Sequence, residues 1–251
     1  MLNNPILKDI NETEHKKESI WTRLPDSRLL VEASLWSADF KYFAREMERI
    51  DPYADMYHID VTDGHFVPGF LFFADLVAGL RPLTKKPFHV HLMTDNPINH
   101  VDDFIAAGAD LVTVHMENGP IVPAVLNLIH RKGAASGLAL GLDVPIETIK
   151  PYLELTDLIL IMGTPMGIKG VKPSPFVYER VNQTKKLILS LGLQNVVKVF
   201  ADGGIRENTV PELRASGVDG VVAGSLAFKS NNLDETFRWF HSMETNPGRL
   251  T

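Results

Sequence analysis

From Leu29 onward the chain repeats one pattern eight times: a short apolar run rich in β-branched residues, then a longer stretch leading to the next run. The apolar runs read as strands at Leu29–Ser34, Met56–Val61, Phe88–Met93, Leu111–His115, Ala135–Gly141, Leu158–Met162, Val196–Ala201 and Gly220–Ala223. Helical periodicity falls between them at Phe40–Ile50, Asn99–Ala107, Ile121–Lys132, Phe176–Leu191, Thr209–Ala215 and Asp234–Met243. Continuously apolar strands suit a sheet buried on both faces, and strand–helix alternation requires parallel βαβ units. Units of about 28 residues match the pace of a (β/α)8 TIM barrel, an α/β fold built as a single domain. AAGADLVTVH and ASGVDGVVAG are a weak internal repeat in which Gly108 and Gly217 are expected to close helices in the left-handed conformation. That repeat supports the class of fold and not, by itself, closure of the ring.

The expected boundaries are a polar N-terminal extension at 1–28, a barrel catalytic domain at 29–245 and a tail at 246–251. Asn11 followed by ETEHKKESIW suits a short capped helix, but its sparse apolar positions favour a loosely held segment. No Pro- or Ser-rich linker divides the rest. A net charge of −6 lacks the basic footprint of a nucleic-acid binder or of a protein held on anionic lipid. No apolar run is long enough to span a bilayer and no signal-peptide core opens the chain, so a cytoplasmic protein is expected. Cysteine is absent, which excludes disulfides and thiolate chemistry and leaves His, Asp and Glu to hold any metal.

In a parallel barrel, function gathers at the C-terminal strand ends. The first such end carries Ser34, the second reads HIDVTDGHFVP, the third HVHLM, the seventh FADGGI and the eighth VAGS. Residues two apart in a strand share a face, so His58 points with Asp60, and His89 with His91. With Asp202 added, two imidazoles and two carboxylates converge, a set suited to Zn²⁺, Mn²⁺, Fe²⁺ or Co²⁺. Gly203–Gly204, Gly224–Ser225 and the GTPMGIKG segment, with Gly167, Lys169 and Gly170, place three glycine turns beside that cluster. Turns after the seventh and eighth strands commonly cradle phosphate, so a phosphorylated substrate is expected. His65 reads as packing or shielding, and His115, with Glu117 nearby, as either structural or supporting. Phe66, Phe70, Phe72 and Phe73 read first as core and helix packing, and second as a lid.

ASLWSADF, HIDVTDGHFVP, HVHLM, AGADLVTVH, ADGGI and AGS follow one another as in the ribulose-phosphate 3-epimerase family, and the chain resembles that family from about Leu29 to Phe240. The resemblance implies a (β/α)8 barrel with one divalent metal (Zn, Fe, Mn or Co) on His58, Asp60, His91 and Asp202. It further implies Asp60 and Asp202 as the acid/base pair that inverts C3 of a ketose phosphate such as ribulose 5-phosphate through an enediolate. Ser34, His91, Met93 and Met162 are implied substrate contacts, as are Gly167, Ile168, Lys169, Gly170, Gly203, Gly204, Gly224 and Ser225 around the phosphate. The implied partner is a small sugar phosphate, with neither nucleic acid nor membrane; a homo-oligomer is compatible with it.

Several positions depart from the family pattern. Thr62 stands where methionine is usual, Gly167-Ile168-Lys169-Gly170-Val171 replaces Gly-Phe-Gly-Gly-Gln, and Gly141-Leu142 replaces Asn-Pro. His89 stands for aspartate and Phe200 for glutamate. The alternatives are therefore an epimerase of a hexulose 6-phosphate such as allulose 6-phosphate, and a sugar-phosphate-binding barrel without turnover. A decarboxylase or aldolase fits less well, because Val61 follows Asp60 and no lysine ends a core strand.

Overall fold

The computed structural model describes residues 19–244. Strands β1 (Leu30–Ser34), β2 (Met56–Asp63), β4 (Phe88–Met93), β5 (Leu111–His115), β6 (Ala135–Leu140), β7 (Leu158–Met162), β8 (Lys198–Asp202) and β9 (Gly220–Ala223) pair in parallel, while β3 (Phe70–Leu71) is a short antiparallel addition to β2. β1 bonds to both β2 and β9, so the ring closes as a (β/α)8 barrel. The eight expected strands are all present. The strand expected at Val196 starts later, at Lys198, because the Val196 and Val197 amides close a turn on the Leu193 carbonyl.

The outer layer consists of α1 (Phe43–Ile50), α2 (Ala74–Leu80), α3 (Val101–Ala106), α4 (Val122–Arg131), α5 (Val177–Ser190), α6 (Val210–Ser216), α7 (Ser225–Phe228) and α8 (Leu233–His241). A 3₁₀ segment, Ile146–Leu155, takes the helix position between β6 and β7. Pro151 within it has no amide hydrogen to donate, which disfavours a regular α-helix there. The expected helix Phe40–Ile50 splits into a 3₁₀ turn, Phe40–Tyr42, whose start is capped by Asp39, and then α1. Gly108 and Gly217 have φ of 104° and 110°, the left-handed closure expected of the repeat.

One core lies between strands and helices, and a second fills the barrel below the site with Leu30, Met56, Leu158, Leu160 and Phe200. Ile20 and Trp21 belong to this inner core, and the Trp21 indole donates to the Val196 carbonyl at 3.1 Å. Within the described part of the extension expected to be loosely held, Ile20 and Trp21 are thus packed, while Thr22, Arg23 and 25–27 are exposed; the helix expected after Asn11 lies largely outside the described residues. The phenylalanine cluster also departs from expectation. Phe70, carried outward on the β2–β3 hairpin, and Phe73, at the start of α2, are 85% and 62% exposed, whereas Phe72 packs on Phe40 and Phe43.

Four aspartates tie the N-terminal end of the ring together. Asp55, Asp110, Asp157 and Asp219 each precede a strand and accept from an amide of the strand before: Val31, Phe88, Ser136 and Val199, at 2.7–3.0 Å. Arg28, Arg81, His130 and Lys185 respectively pair with these carboxylates. The end opposite the site is thus pinned by charge-assisted bonds, leaving the loops at the other end free to carry chemistry.

Candidate active site

Four side chains meet on the barrel axis at the C-terminal ends of β2, β4 and β8. One donor atom from each of His58, Asp60, His91 and Asp202 lies within 4.8 Å of all the others. His58 Nε2 is 3.1 Å from Asp60 Oδ1 and 3.3 Å from His91 Nδ1, and both nitrogens are 3.8 Å from Asp202 Oδ2. The register explains the meeting: Asp60 sits opposite His91 across β2–β4, and the two-residue repeat of a strand turns His58 to the same side as Asp60.

Each imidazole is held from behind. His58 Nδ1 is 2.7 Å from Glu32 Oε2, an acceptor only, so Nδ1 carries a proton and Nε2 is the nitrogen that faces the cluster. His91 Nε2 is 2.7 Å from His115 Nε2, and His115 Nδ1 is 3.3 Å from Glu117 Oε2. A proton on His91 Nε2 and another on His115 Nδ1 satisfy that chain and leave His91 Nδ1 free to donate its lone pair. His115 therefore supports His91, which decides between the two roles its sequence context allowed. His89 lies one layer lower, on Glu32 and Thr113, and is not part of the four-residue cluster.

Burial and charge push the two carboxylates apart. Burial works against ionisation of Asp60, but the imidazoles of His58 and His91 outweigh it and hold the group far below the usual carboxylate range. Asp202 is raised to about 6, first by burial and then by Asp60, against the pull of His58. Burial also disfavours a charged His58, yet Asp60 and Glu32 raise its proton affinity well above that of free imidazole. Glu32 itself stays ionised: burial opposes this, and His89 and His58 bring the carboxyl to about 2. Burial dominates at His89 and His115, which both fall to about 4 and are neutral near pH 7. The centre thus attracts positive charge and presents two nitrogen and two oxygen donors, which fits a divalent metal.

Above the cluster opens a cavity of about 530 Å³. Ser34, Asp60, Met93, Met162 and Asp202 line it together with Gly167, Ile168, Lys169, Gly170, Gly203, Gly204, Gly224 and Ser225, so these residues share one opening. His58 and His91 lie fully buried beneath it. The Ser34 hydroxyl donates to Asp60 Oδ2 at 3.2 Å. Lys169 reaches across the mouth to the Trp36 carbonyl, its ammonium 4.3 Å from the indole centroid. Arg206 and Lys229 add further cations, and with Trp36 and Thr164 they are wall residues that strand-end reading missed.

Of the departures, the loop 167–171 lines this cavity, and the others lie elsewhere in the barrel. The Thr62 hydroxyl donates to the Gly69 carbonyl at 3.0 Å and steadies the hairpin. Phe200 fills the inner core, where a Cβ on Gly220 would meet its ring at 2.5 Å. Arg180 donates to the Gly141, Leu142 and Val144 carbonyls, pinning the loop that lacks Asn-Pro. His65 is exposed, its ring against the Asp63 carbonyl, and does not reach the cavity.

Comparison with known proteins is consistent with this geometry. The profile of the ribulose-phosphate 3 epimerase family matches residues 30–228. A ribulose-phosphate 3-epimerase of Synechocystis sp. is 35% identical over 82% of this chain and 90% of its own. One of Bacillus subtilis is 33% identical over 79% and 91%. Among solved structures, orotidine 5'-phosphate decarboxylase from Pyrococcus horikoshii aligns with a TM-score of 0.59 at 14% identity, over 84% of this chain and 97% of that one, a likeness of fold alone.

Proposed function

Because this chain belongs to the ribulose-phosphate 3-epimerase family and is an isomerase of that kind, we propose that it inverts C3 of ribulose 5-phosphate to give xylulose 5-phosphate, with Asp60 and Asp202 as the two proton carriers. The observation that carries this reading is the pairing of two carboxylates of unequal proton affinity at the base of one cavity. Inversion next to a ketone removes a proton from one face of the carbon and returns one to the other. Asp60 and Asp202 approach from β2 and β8, with β1 and β9 between them in the ring, so they flank whatever occupies the centre. Environments that drive paired pKa values apart mark acid/base partners, and Asp202, raised to about 6, takes up a proton far more readily than Asp60. Met93 and Met162 give the planar intermediate an apolar bed, and the Ser34 hydroxyl orients Asp60.

His58, Asp60, His91 and Asp202 are the residues that would hold one divalent ion (Zn, Fe, Mn or Co). Bound there, it supplies Lewis-acid stabilisation of the negative charge that develops on the ketose oxygens. The phosphate is assigned to the wall formed by Gly167–Gly170, Gly203–Gly204 and Gly224–Ser225. The first amides of α7 have no acceptor within the helix, and Lys169, Arg206 and Lys229 bring positive charge to the same wall. Residues 29–245 form the catalytic domain in this reading, acting on a free sugar phosphate in the cytoplasm without nucleic acid or membrane. No helix among the described residues is long and apolar enough to cross a membrane. A hexulose 6-phosphate is the second reading, favoured by the replaced glycine loop with Lys169 stretched across the mouth.

The test is a comparison of kcat/KM for ribulose 5-phosphate, allulose 6-phosphate and the two free sugars. Ribulose 5-phosphate should be the best substrate, and losing the phosphate should cost on the order of 10³-fold or more, since a polar group's absence leaves its partners unpaired. Equal efficiency on free ribulose would remove the phosphate wall from the account, and a preference for allulose 6-phosphate would select the hexulose reading.

A further inference from the structure

Glu32 places its carboxyl where the fold gives it no contact with solvent, and its side chain is 0% exposed. Leaving such a carboxylate unpaired is costly, so its partners indicate its purpose. No lysine or arginine bonds to it among the described residues. Its donors are two imidazoles, His58 Nδ1 at 2.7 Å and His89 Nδ1 at 2.8 Å.

The carboxylate fixes which nitrogen of each ring donates to it. Glu32 is acceptor-only, so each Nδ1 facing it carries hydrogen. The neutral His89 ring then accepts a hydrogen bond at Nε2 from the Thr113 hydroxyl, at 2.6 Å. Room for that hydroxyl exists because position 137 on β6 is glycine; a Cβ there would lie 2.9 Å from Thr113 Cβ. Glu32 is thus clamped on one side by a neutral, hydrogen-bonded His89. Its other contact fixes His58 Nδ1 as a donor and turns Nε2, the nitrogen a divalent cation would take, toward Asp60 and His91.

We propose that Glu32 is a positioning residue for the metal centre: held by His89, Thr113 and the gap at Gly137, it locks His58 in the one tautomer whose Nε2 can bind a divalent cation. This rests on the assignment of His58 as a metal ligand made above. Glu32 does not touch substrate; it acts through His58 by fixing the ring and raising its basicity as a ligand. Strand β1 therefore contributes to the centre from below, through Glu32, and from above, through Ser34, two residues further along the same face.

The test uses the full-length chain stripped of metal and titrated with Zn²⁺ or Mn²⁺ alone, following heat release and metal content. Wild type should bind one equivalent, and Glu32→Gln, which keeps shape but removes the charge and one acceptor, should bind about 10–100-fold more weakly. Glu32→Asp, which restores the charge, should recover part of that loss. Independently of any variant, ¹⁵N–¹H correlation of the imidazoles in Zn²⁺-loaded wild type should show His58 protonated at Nδ1 with Nε2 bound to metal. A purely structural Glu32 would leave metal affinity and the His58 tautomer unmoved. Affinity of Glu32→Gln within about threefold of wild type, or metal on His58 Nδ1, overturns the proposal while leaving the four-ligand centre standing. Two equivalents in wild type falling to one in Glu32→Gln also overturns it, by making Glu32 a ligand itself. Wild type that takes up no metal overturns both this proposal and the metal centre it rests on.

Discussion

Changing either Asp60 or Asp202 to Asn should cut epimerisation by about 10³-fold or more, because positioned acid–base groups contribute roughly 10²–10⁴ and inversion needs both transfers. Asn keeps the volume and an oxygen that can still face the centre, but it cannot carry the proton. The two variants should also fail differently. With one C3 epimer as substrate, the variant that retains the correct base should still exchange the C3 hydrogen with solvent without inverting the carbon. With the other epimer, the roles of the variants should reverse. Neither carboxylate can cover for the other, since they reach the cavity from different strands. The wild-type environments differ as well, with Asp60 driven to the ionised form by His58 and His91, while burial raises Asp202 to about 6. Metal content must be measured in both variants, because loss of a carboxylate donor alone would lower the rate. If both hold metal and epimerise at near wild-type rates, the two-carboxylate mechanism is wrong.

The second large effect concerns His58 and His91. Purified wild type should carry about one divalent ion per chain. His58→Ala and His91→Ala should each weaken its binding by at least about 10²-fold, since even outer partners of a ligand are worth 10–100-fold. The barrel should remain folded by circular dichroism, because its lower end is closed independently by the four aspartate ties and the inner core. His58→Ala should be the less stable of the two, because it leaves Glu32 buried with only His89 to satisfy it, a deficit of about 1–3 kcal/mol. Full metal retention in both variants would move the metal centre elsewhere.

What the sequence made legible follows from which residues answer to local rules. The strands could be read because they are buried on both faces, which writes an unbroken apolar run into each. The strand-end residues could be read because a barrel sends its C-terminal ends to one opening, and Ser34, Asp60, Met93, Met162 and Asp202 do meet there. Glu32 stayed hidden because attention to strand ends skips a charge in the middle of a run. Its signal was nonetheless present: a lone carboxylate in LLVEAS, on the same face as Ser34. Helix α2, ADLVAGL, has a single charged residue and too little polar contrast to mark an amphipathic face. The fate of Trp21 and of Phe70 and Phe73 was set by tertiary placement. One aromatic of a polar leader is drawn under the barrel, and two of an apolar cluster point outward, one on a hairpin and one at the start of α2, neither of which local periodicity encodes.

The central claim is that this barrel moves the C3 proton of a ketose phosphate. The direct measurement is ¹H NMR of ribulose 5-phosphate incubated with metal-loaded wild type in D₂O. Xylulose 5-phosphate should appear carrying deuterium at C3, because a proton taken by one carboxylate is replaced from the other, which equilibrates with solvent. Neither xylulose 5-phosphate nor C3 deuterium in the recovered substrate, with metal bound at one equivalent, would contradict the account.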